Sequence, residues 1–401
     1  MNILIITPSF PNLGNITEGL FNAQQAQAFK KTGNIVVVML CKPCAPKYLA
    51  KKFKRYAHLA YLPEYEERDG IFIIYSRFLQ VPHYVFPAVT AYSCARSIIR
   101  NLKKMKLEHF FDIIQVHSTF PTGLAAPIVS HEISCPYTLT LHIQDDPRIF
   151  RGNKGVTLYK NMLAKASALI TVGSPLERFL QTILPVQNQK ICKTIHNGID
   201  IALVDEILQG IVPQNNHWGH IISISNLWPV KGIDTNLKAL AQLRNERVPW
   251  EKYTIIGEGP ARVGLEKLAK ELQINDRVAF LGRLKHRDTL RELAQADVFC
   301  LPSWQESFGV VYLEAMAMGK PTIGCTGQGA EDIICDGNDG LLVPPKDPTR
   351  LAVALKRLIQ QPEFAYKLGL NAKRRARQFT WDRNVEEYLD VYQSIISSRH
   401  L

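Results

Sequence analysis

No stretch of the 401 residues runs for about eighteen apolar positions without interruption, so a membrane-crossing helix is not expected. The opening Met1-Asn2-Ile3-Leu4-Ile5-Ile6-Thr7-Pro8 lacks the basic flank and small-residue cleavage site of a secretory leader, and it reads as a first core strand. A terminal lipidation motif is also missing. These absences point to a cytoplasmic protein. Cysteine is sparse, and eight in a chain of this length do not make a disulfide scaffold. Cys300, Cys325 and Cys335 fall in apolar runs, where a thiol serves as a small hydrophobe. Cys41 and Cys44 have the spacing of a metal or redox pair, but no second pair follows and the first closes an expected strand, which favours chance. The first strand is not followed by Gly-x-Gly-x-x-Gly, which counts against a nicotinamide dehydrogenase. Acidic residues are short in one half only. Residues 1–200 carry 23 Lys+Arg against 12 Asp+Glu, a balance of +11, whereas the remainder stands at +1. That asymmetry suggests an anionic partner for the first half. Nucleic acid is disfavoured, because no recognisable module with aromatic platforms accompanies the charge.

What is present is an alternation of short β-branched runs and amphipathic helices, made twice over. In the first half Ile3–Ile6, Ile35–Leu40, Ile71–Tyr75, Ile113–Val116, Tyr137–Leu141, Ala168–Val172 and Lys193–Ile195 read as strands. Leu20–Lys31, Tyr92–Leu107 and Leu158–Ala166 read as helices between them. The pattern restarts at His220–Ile224 and continues through Tyr253–Ile256, Val278–Phe280, Val298–Leu301, Pro321–Ile323 and Gly340–Val343. Continuous apolar strands separated by helices predict an α/β fold with parallel sheets covered on both faces. Two doubly wound domains are expected, 1–205 and 218–380, joined by a linker over roughly Ile201–Trp218 and followed by a helix over 381–401.

The densest chemistry lies in Ser303-Trp304-Gln305-Glu306-Ser307-Phe308-Gly309-Val310-Val311-Tyr312-Leu313-Glu314. Ala296–Pro302 before it reads as a buried strand closed by proline, and the spacing turns helical from Val310 to Met318. Glu306 is thus expected in a strand-to-helix loop and Glu314 about two turns into the helix, on nearly the same face. Free backbone N–H groups at a helix start suit a phosphate. Carboxylates on either side of such an anion cradle suit a sugar hydroxyl and a ribose, which together describe a nucleotide sugar. Lys231 falls on the loop after strand His220–Ile224, where open α/β sheets face their ligands and where a cation would neutralise a diphosphate. Gly257-Glu258-Gly259 follows the next strand and reads equally well as a plain turn. His142 ends a buried strand, a place where a lone histidine is often only a satisfied core residue. Asp145-Asp146 imitates an acidic metal pair, but no further ligands cluster near it and no metal is expected.

The stretch from Ser303 to Glu314, with Ala315-Met316-Ala317-Met318-Gly319-Lys320-Pro321 after it, resembles the Glu-x7-Glu signature of retaining glycosyltransferases of the GT-B fold, in particular glycosyltransferase family 4. The resemblance implies two Rossmann-like domains facing across a cleft, with the C-terminal helix returning to the first. It assigns Lys231 to the pyrophosphate in a loop usually written Gly-Arg-Leu…Lys-Gly; Asn226 stands where the arginine is usual, able to donate a hydrogen bond but not charge. It places Gly257 near the diphosphate and nucleoside, Arg283 beside the base, and Glu314 on the ribose hydroxyls. Glu306 is assigned to the transferred sugar, and the amides of Ser307, Phe308, Gly309 and Val310 to the phosphates. His142 and Asp145 fit a His-Gly-x-Asp-like loop facing that sugar, with Ile143 in place of the glycine. Gly19 matches the Gly-x-Phe variant of the first glycine loop, and Asn197-Gly198-Ile199-Asp200 matches a motif that closes the first domain.

The implied function is metal-independent transfer of a hexose, with retention, from a UDP- or GDP-linked sugar to a glycan or lipid-linked acceptor, without a cofactor, in cell-envelope polysaccharide or glycolipid biosynthesis. Glu306, His142 and Lys231 are the candidate catalytic residues. Lys47–Tyr56 and the stripe Arg96, Arg100, Lys103, Lys104 and Lys106 are candidates for docking on the inner face of an anionic membrane, or else simply solvated helices. The alternatives are a catalytically silent nucleotide-sugar-binding partner, which Asn226 keeps open, and a GT-B phosphorylase or epimerase.

Overall fold

The computed structural model describes residues 1–12, 15, 18–44, 62–80, 86–142, 153–184, 192–211 and 218–398. Its contacts divide the chain into two units, Met1–His196 with Trp381–Leu401, and Asn197–Thr380.

In the first unit the apolar runs pair into one eight-stranded sheet: β1 (Asn2–Thr7), β2 (Ile35–Pro43), β3 (Tyr65–Arg68), β4 (Ile71–Phe78), β5 (Ile113–His117), β6 (Tyr137–Leu141), β7 (Ala168–Thr171) and β8 (Cys192–Thr194). Their order is β3-β4-β2-β1-β5-β6-β7-β8. Ile3 lies opposite Val36 on one side of β1 and Ile113 on the other, and all three are buried. Helices on both faces leave no side of the central strands wet, so they show runs rather than alternation. The exception to parallel pairing is β3, an antiparallel edge strand outside the expected set. It joins β4 through Asp69-Gly70, both at positive φ (51° and 70°), a two-residue hairpin turn.

The helix expected over Tyr92–Leu107 runs over Pro87–Lys104, and Lys106 lies beyond it at φ 57°. The terminal helix Trp381–Ser397 belongs to this unit. It packs on the helix Leu20–Lys31, with Tyr392 stacked on Phe29 at 5.9 Å and Tyr388 edge-on to it at 6.0 Å.

The second unit holds six parallel strands: β9 (His220–Ile224), β10 (Lys252–Ile256), β11 (Val278–Gly282), β12 (Val298–Cys300), β13 (Thr322–Cys325) and β14 (Leu341–Val343). Their order, β11-β10-β9-β12-β13-β14, is the doubly wound Rossmann arrangement. The chain reverses its direction of growth between β9 and β12, where the loops after the two strands part and leave a crevice for ligands. In the first sheet the same reversal falls between β1 and β5. The segment 201–218, read from sequence as a linker, opens with a helix, Ile201–Gln209, that falls within the second unit. Asp200 caps it by accepting from the Leu203 amide at 3.0 Å. Of the cysteines expected to be core, Cys300 and Cys325 are buried but Cys335 is exposed, because it lies past the short helix Ala330–Ile333 in a turn.

Candidate active site

In the second unit both loops of the switch point carry predicted site residues. Trp228 leads into a single turn, Pro229–Lys231, that ends at Gly232 with φ 70°. A β-carbon on Gly232 would strike the carbonyl of Pro302, at the end of the loop's neighbour, so only glycine lets the two loops lie this close. The amide of Trp304 and the hydroxyl of Ser303 both donate to the Val230 carbonyl, at 2.9 and 3.2 Å. This bracing sets Lys231 against Glu306, with Nζ 2.7 Å from Oε2 and the two side chains only 17% and 13% exposed. A second brace comes from across the loop. The Glu306 amide donates to Oε1 of Gln328 at 3.1 Å, and the Gly329 amide donates to the Glu306 carbonyl at 2.9 Å.

The helix Val310–Ala317 starts on Gly309, at φ 91°, with no side-chain cap and no acidic residue in its first turn. Its positive end is therefore open to an anion supplied from elsewhere. Ser307 and Val310 are half-buried in this turn, and Phe308 is buried with its ring 6.3 Å from that of Phe379. The helix begins at Val310 as expected, and Glu314, its fifth residue, therefore lies about one turn into it rather than the expected two. Its Oε1 takes a hydrogen bond from Nε2 of His286 at 2.7 Å. That bond holds the imidazolium form, raising the His286 pKa above its ordinary value against the opposing effect of burial.

Gly257 has φ 134° and packs where any β-carbon would overlap the Ser225 carbonyl, while Gly259 is packed as closely on Leu227. The pair holds the β10 loop against the β9 loop, with the Leu227 amide donating to the Glu258 carbonyl at 2.9 Å. Asn226 and Arg283 are exposed, and their side chains make no hydrogen bond among the described residues.

In the first unit Gly19 adopts φ 63° at the start of helix Leu20–Lys31, where a β-carbon would meet the backbone of Ser9 and Phe10. His142 directly follows β6. Its Nε2 is 2.7 Å from Nδ1 of His117, which ends the neighbouring β5, and the Phe21 ring covers it at 4.7 Å. Burial pushes the His142 pKa down to about 4. Asp145, and the basic segment Lys47–Tyr56, lie outside the described residues. Of the second basic stripe, Arg96, Arg100 and Lys103 join Arg77, Val89, Tyr92 and Ile128 around a groove of about 860 Å³.

Three residues that matter here were not singled out in the sequence: His286, Gln328 and His117. Among these, His117 alone carried a local signal, a histidine ending a buried strand just as His142 does.

Two family models match successive parts of the chain: the Glycosyltransferase Family 4 model over residues 26–203 and the Glycosyl transferases group 1 model over residues 212–375. A Bacillus subtilis protein described as a teichuronic acid biosynthesis glycosyltransferase, TuaC, is 26% identical over 98% of this chain and 99% of its own. An uncharacterized glycosyltransferase of Methanocaldococcus jannaschii, MJ1607, is 28% identical over 83% of this chain and 87% of its own. Among solved structures, the sucrose-phosphate synthase of Thermosynechococcus elongatus superposes with a TM-score of 0.77 at 21% identity, over 99% of this chain and 100% of that one. Anabaena HepE, solved in complex with UDP-glucose, superposes with a TM-score of 0.71 at 20% identity, over 98% and 100%. With its two Rossmann-like domains and both family models matched, the chain belongs to the group 1, family 4 glycosyltransferases of the GT-B fold.

Proposed function

We propose that this glycosyltransferase is a metal-independent, retaining hexosyltransferase. It takes its hexose from a UDP- or GDP-linked sugar and delivers it to a glycan or lipid-linked acceptor of the cell envelope. The observation that carries the reading is the Lys231–Glu306 pair, set beside an uncapped helix start whose own glutamate, Glu314, lies one turn further on. Developing charge on a leaving diphosphate needs a fixed cation and oriented amides. Lys231 supplies the first and the turn from Ser307 to Val310 the second, so the positive charge a metal would bring is supplied by the protein. Glu314 would accept from the ribose hydroxyls, and Glu306 would hold the hexose near its reacting carbon. As the bond from that carbon to the phosphate oxygen breaks, the acceptor hydroxyl attacks on the same face. Its proton passes to the departing phosphate, so no separate general base is assigned. On the first domain, His142 is assigned to the hexose. HepE was solved with UDP-glucose, and TuaC is named for an envelope polymer; both support this choice of donor and pathway. The basic stripe on helix Pro87–Lys104 is assigned to an anionic membrane surface that presents the acceptor.

Nucleotide release from a panel of nucleotide sugars, with and without chelator, tests the proposal. Release from a UDP- or GDP-hexose should survive chelation and disappear in Glu306→Ala, and the product should keep the donor's anomeric configuration by NMR. A strict metal requirement, or an inverted product, would overturn it.

A further inference from the structure

His142 ends an unbroken run of polar side chains inside the first unit. Its Nε2 meets Nδ1 of His117 at 2.7 Å, the two rings stacked with an interplanar angle of 17°. On the far side, Nε2 of His117 lies 3.1 Å from the side-chain nitrogen of Gln115, which also donates to Oε1 of Gln25 at 2.7 Å. Gln25 in turn donates from Nε2 to Oδ1 of Asn384 at 2.7 Å. Asn384, on the terminal helix, donates from Nδ2 to the backbone carbonyl of His196 at 2.7 Å. Gln25, Gln115, His117 and Asn384 are each no more than 3% exposed, so water cannot replace a partner that turns away.

The direction of every bond follows from one end. A carbonyl oxygen only accepts. Asn384 must therefore turn its nitrogen to His196 and its oxygen to Gln25. Gln25 then turns its nitrogen to Asn384 and its oxygen to Gln115, so Gln115 presents its nitrogen to both Gln25 and His117. The His117 Nε2 accepts, its one proton resides on Nδ1, and that proton is given to Nε2 of His142. The hydrogen His142 has left to give is on Nδ1. The unmatched atom of the run is Oε1 of Gln115. Reversing that amide would set this oxygen against Oε1 of Gln25, so the direction holds.

We propose that Asn384 is a positioning residue that fixes His142 as its Nδ1–H tautomer, acting through Gln25, Gln115 and His117. The argument needs neutral rings. Burial provides them, pushing His142 down to about 4 and His117 well below the ordinary histidine range. The catalytic consequence rests on the assignment of His142 to the hexose, to which it would offer one hydrogen bond from Nδ1.

Histidine-selective 15N labelling with long-range 1H–15N correlation at pH 7 reads which ring nitrogen carries the proton. Both His117 and His142 should show Nδ1–H in the native chain, and a proton on Nε2 of His142 would overturn the proposal. Gln115→Met removes the donor that holds His117, and Asn384→Leu removes the anchor; each should bring in the Nε2–H form of His142. The turnover number should fall with the fraction of Nδ1–H left, so a shift to nine-tenths Nε2–H reads as about a tenfold loss. Unaltered tautomers in a folded variant, either one, refute the relay. A changed tautomer with unchanged turnover would uphold the relay and remove His142 from the reaction proposed above.

Discussion

Lys231 and Glu306 should behave in solution as one unit, and a double-mutant cycle tests it. At 2.7 Å and an effective dielectric of about 20, two unit charges attract by roughly 6 kcal/mol, most of which desolvation takes back. With the side chains 17% and 13% exposed, truncating one leaves the other with poor access to water. Lys231→Ala and Glu306→Ala should therefore each destabilise the second domain by about 2 kcal/mol, between the values for surface and fully buried pairs. The double variant should lose little more than either single one, a coupling of about 1.5–2 kcal/mol. Urea denaturation followed by tryptophan fluorescence is a suitable assay, because four of the five tryptophans, Trp218, Trp228, Trp250 and Trp304, lie in this domain. Binding provides an independent sign. Removing the Glu306 charge should tighten free UDP by about 1 kcal/mol while turnover collapses, whereas Lys231→Ala should weaken both. Losses that add within about 0.5 kcal/mol, or UDP binding weakened by Glu306→Ala, would show that the pair is not set as described.

Two further outcomes follow from local geometry. Gly257→Ala places a β-carbon inside the Ser225 carbonyl at φ 134°, and about 2–4 kcal/mol of stability should be lost by thermal or urea unfolding. Gly264→Ala, on the open face of helix Arg262–Glu271, should instead gain about 0.5–1 kcal/mol; losses of equal size at both positions would contradict the packing of the two loops. The raised pKa of His286 stabilises the fold fully below the ordinary histidine value and loses that contribution as pH climbs through the folded value. The stability gap between the native chain and His286→Gln should accordingly be wider at pH 6 than at pH 8. Nucleotide affinity should rise over the same interval as Glu314 is released, and a pH-independent gap would rule out the His286–Glu314 bond.

How far the sequence reached depended on whether a signal was local. Thirteen of the fourteen strands that form the two sheets fall on runs read as strands, and the central ones are continuous and apolar because burial on both faces demands it, while the edge strands β8 and β11 are only partly buried. The fourteenth, Tyr65-Glu66-Glu67-Arg68, is charged and half-wet at a sheet edge, so its only mark was the Asp69-Gly70 turn after it. Lys231 and Glu306 were legible because loops at the ends of parallel strands carry ligands wherever the fold recurs. His286 and Gln328 were not, since His286 meets Glu314 from the start of another helix, Gln328 meets Glu306 from another loop, and no periodicity joins the pairs.

Gln115 is the instructive case. It interrupts Ile113-Ile114-Gln115-Val116-His117, in a strand buried on both faces, and an amide there without partners would cost several kcal/mol. Its presence required a polar partner on a helix covering the sheet, and that partner had to be satisfied in turn. Gln25 on the helix after β1 meets the first requirement and Asn384 the second. The terminal helix is therefore bound to the first sheet by more than its tyrosines: it carries Asn384, whose orientation, fixed by the His196 carbonyl, reaches His142 through the run. A shortened chain lacking 381–401 would lose the stacking on Phe29 and the direction of that relay together, whereas Asn384→Leu separates them. That variant should keep the helix docked through Tyr388 and Tyr392, and leave the imidazole free to turn its proton the wrong way.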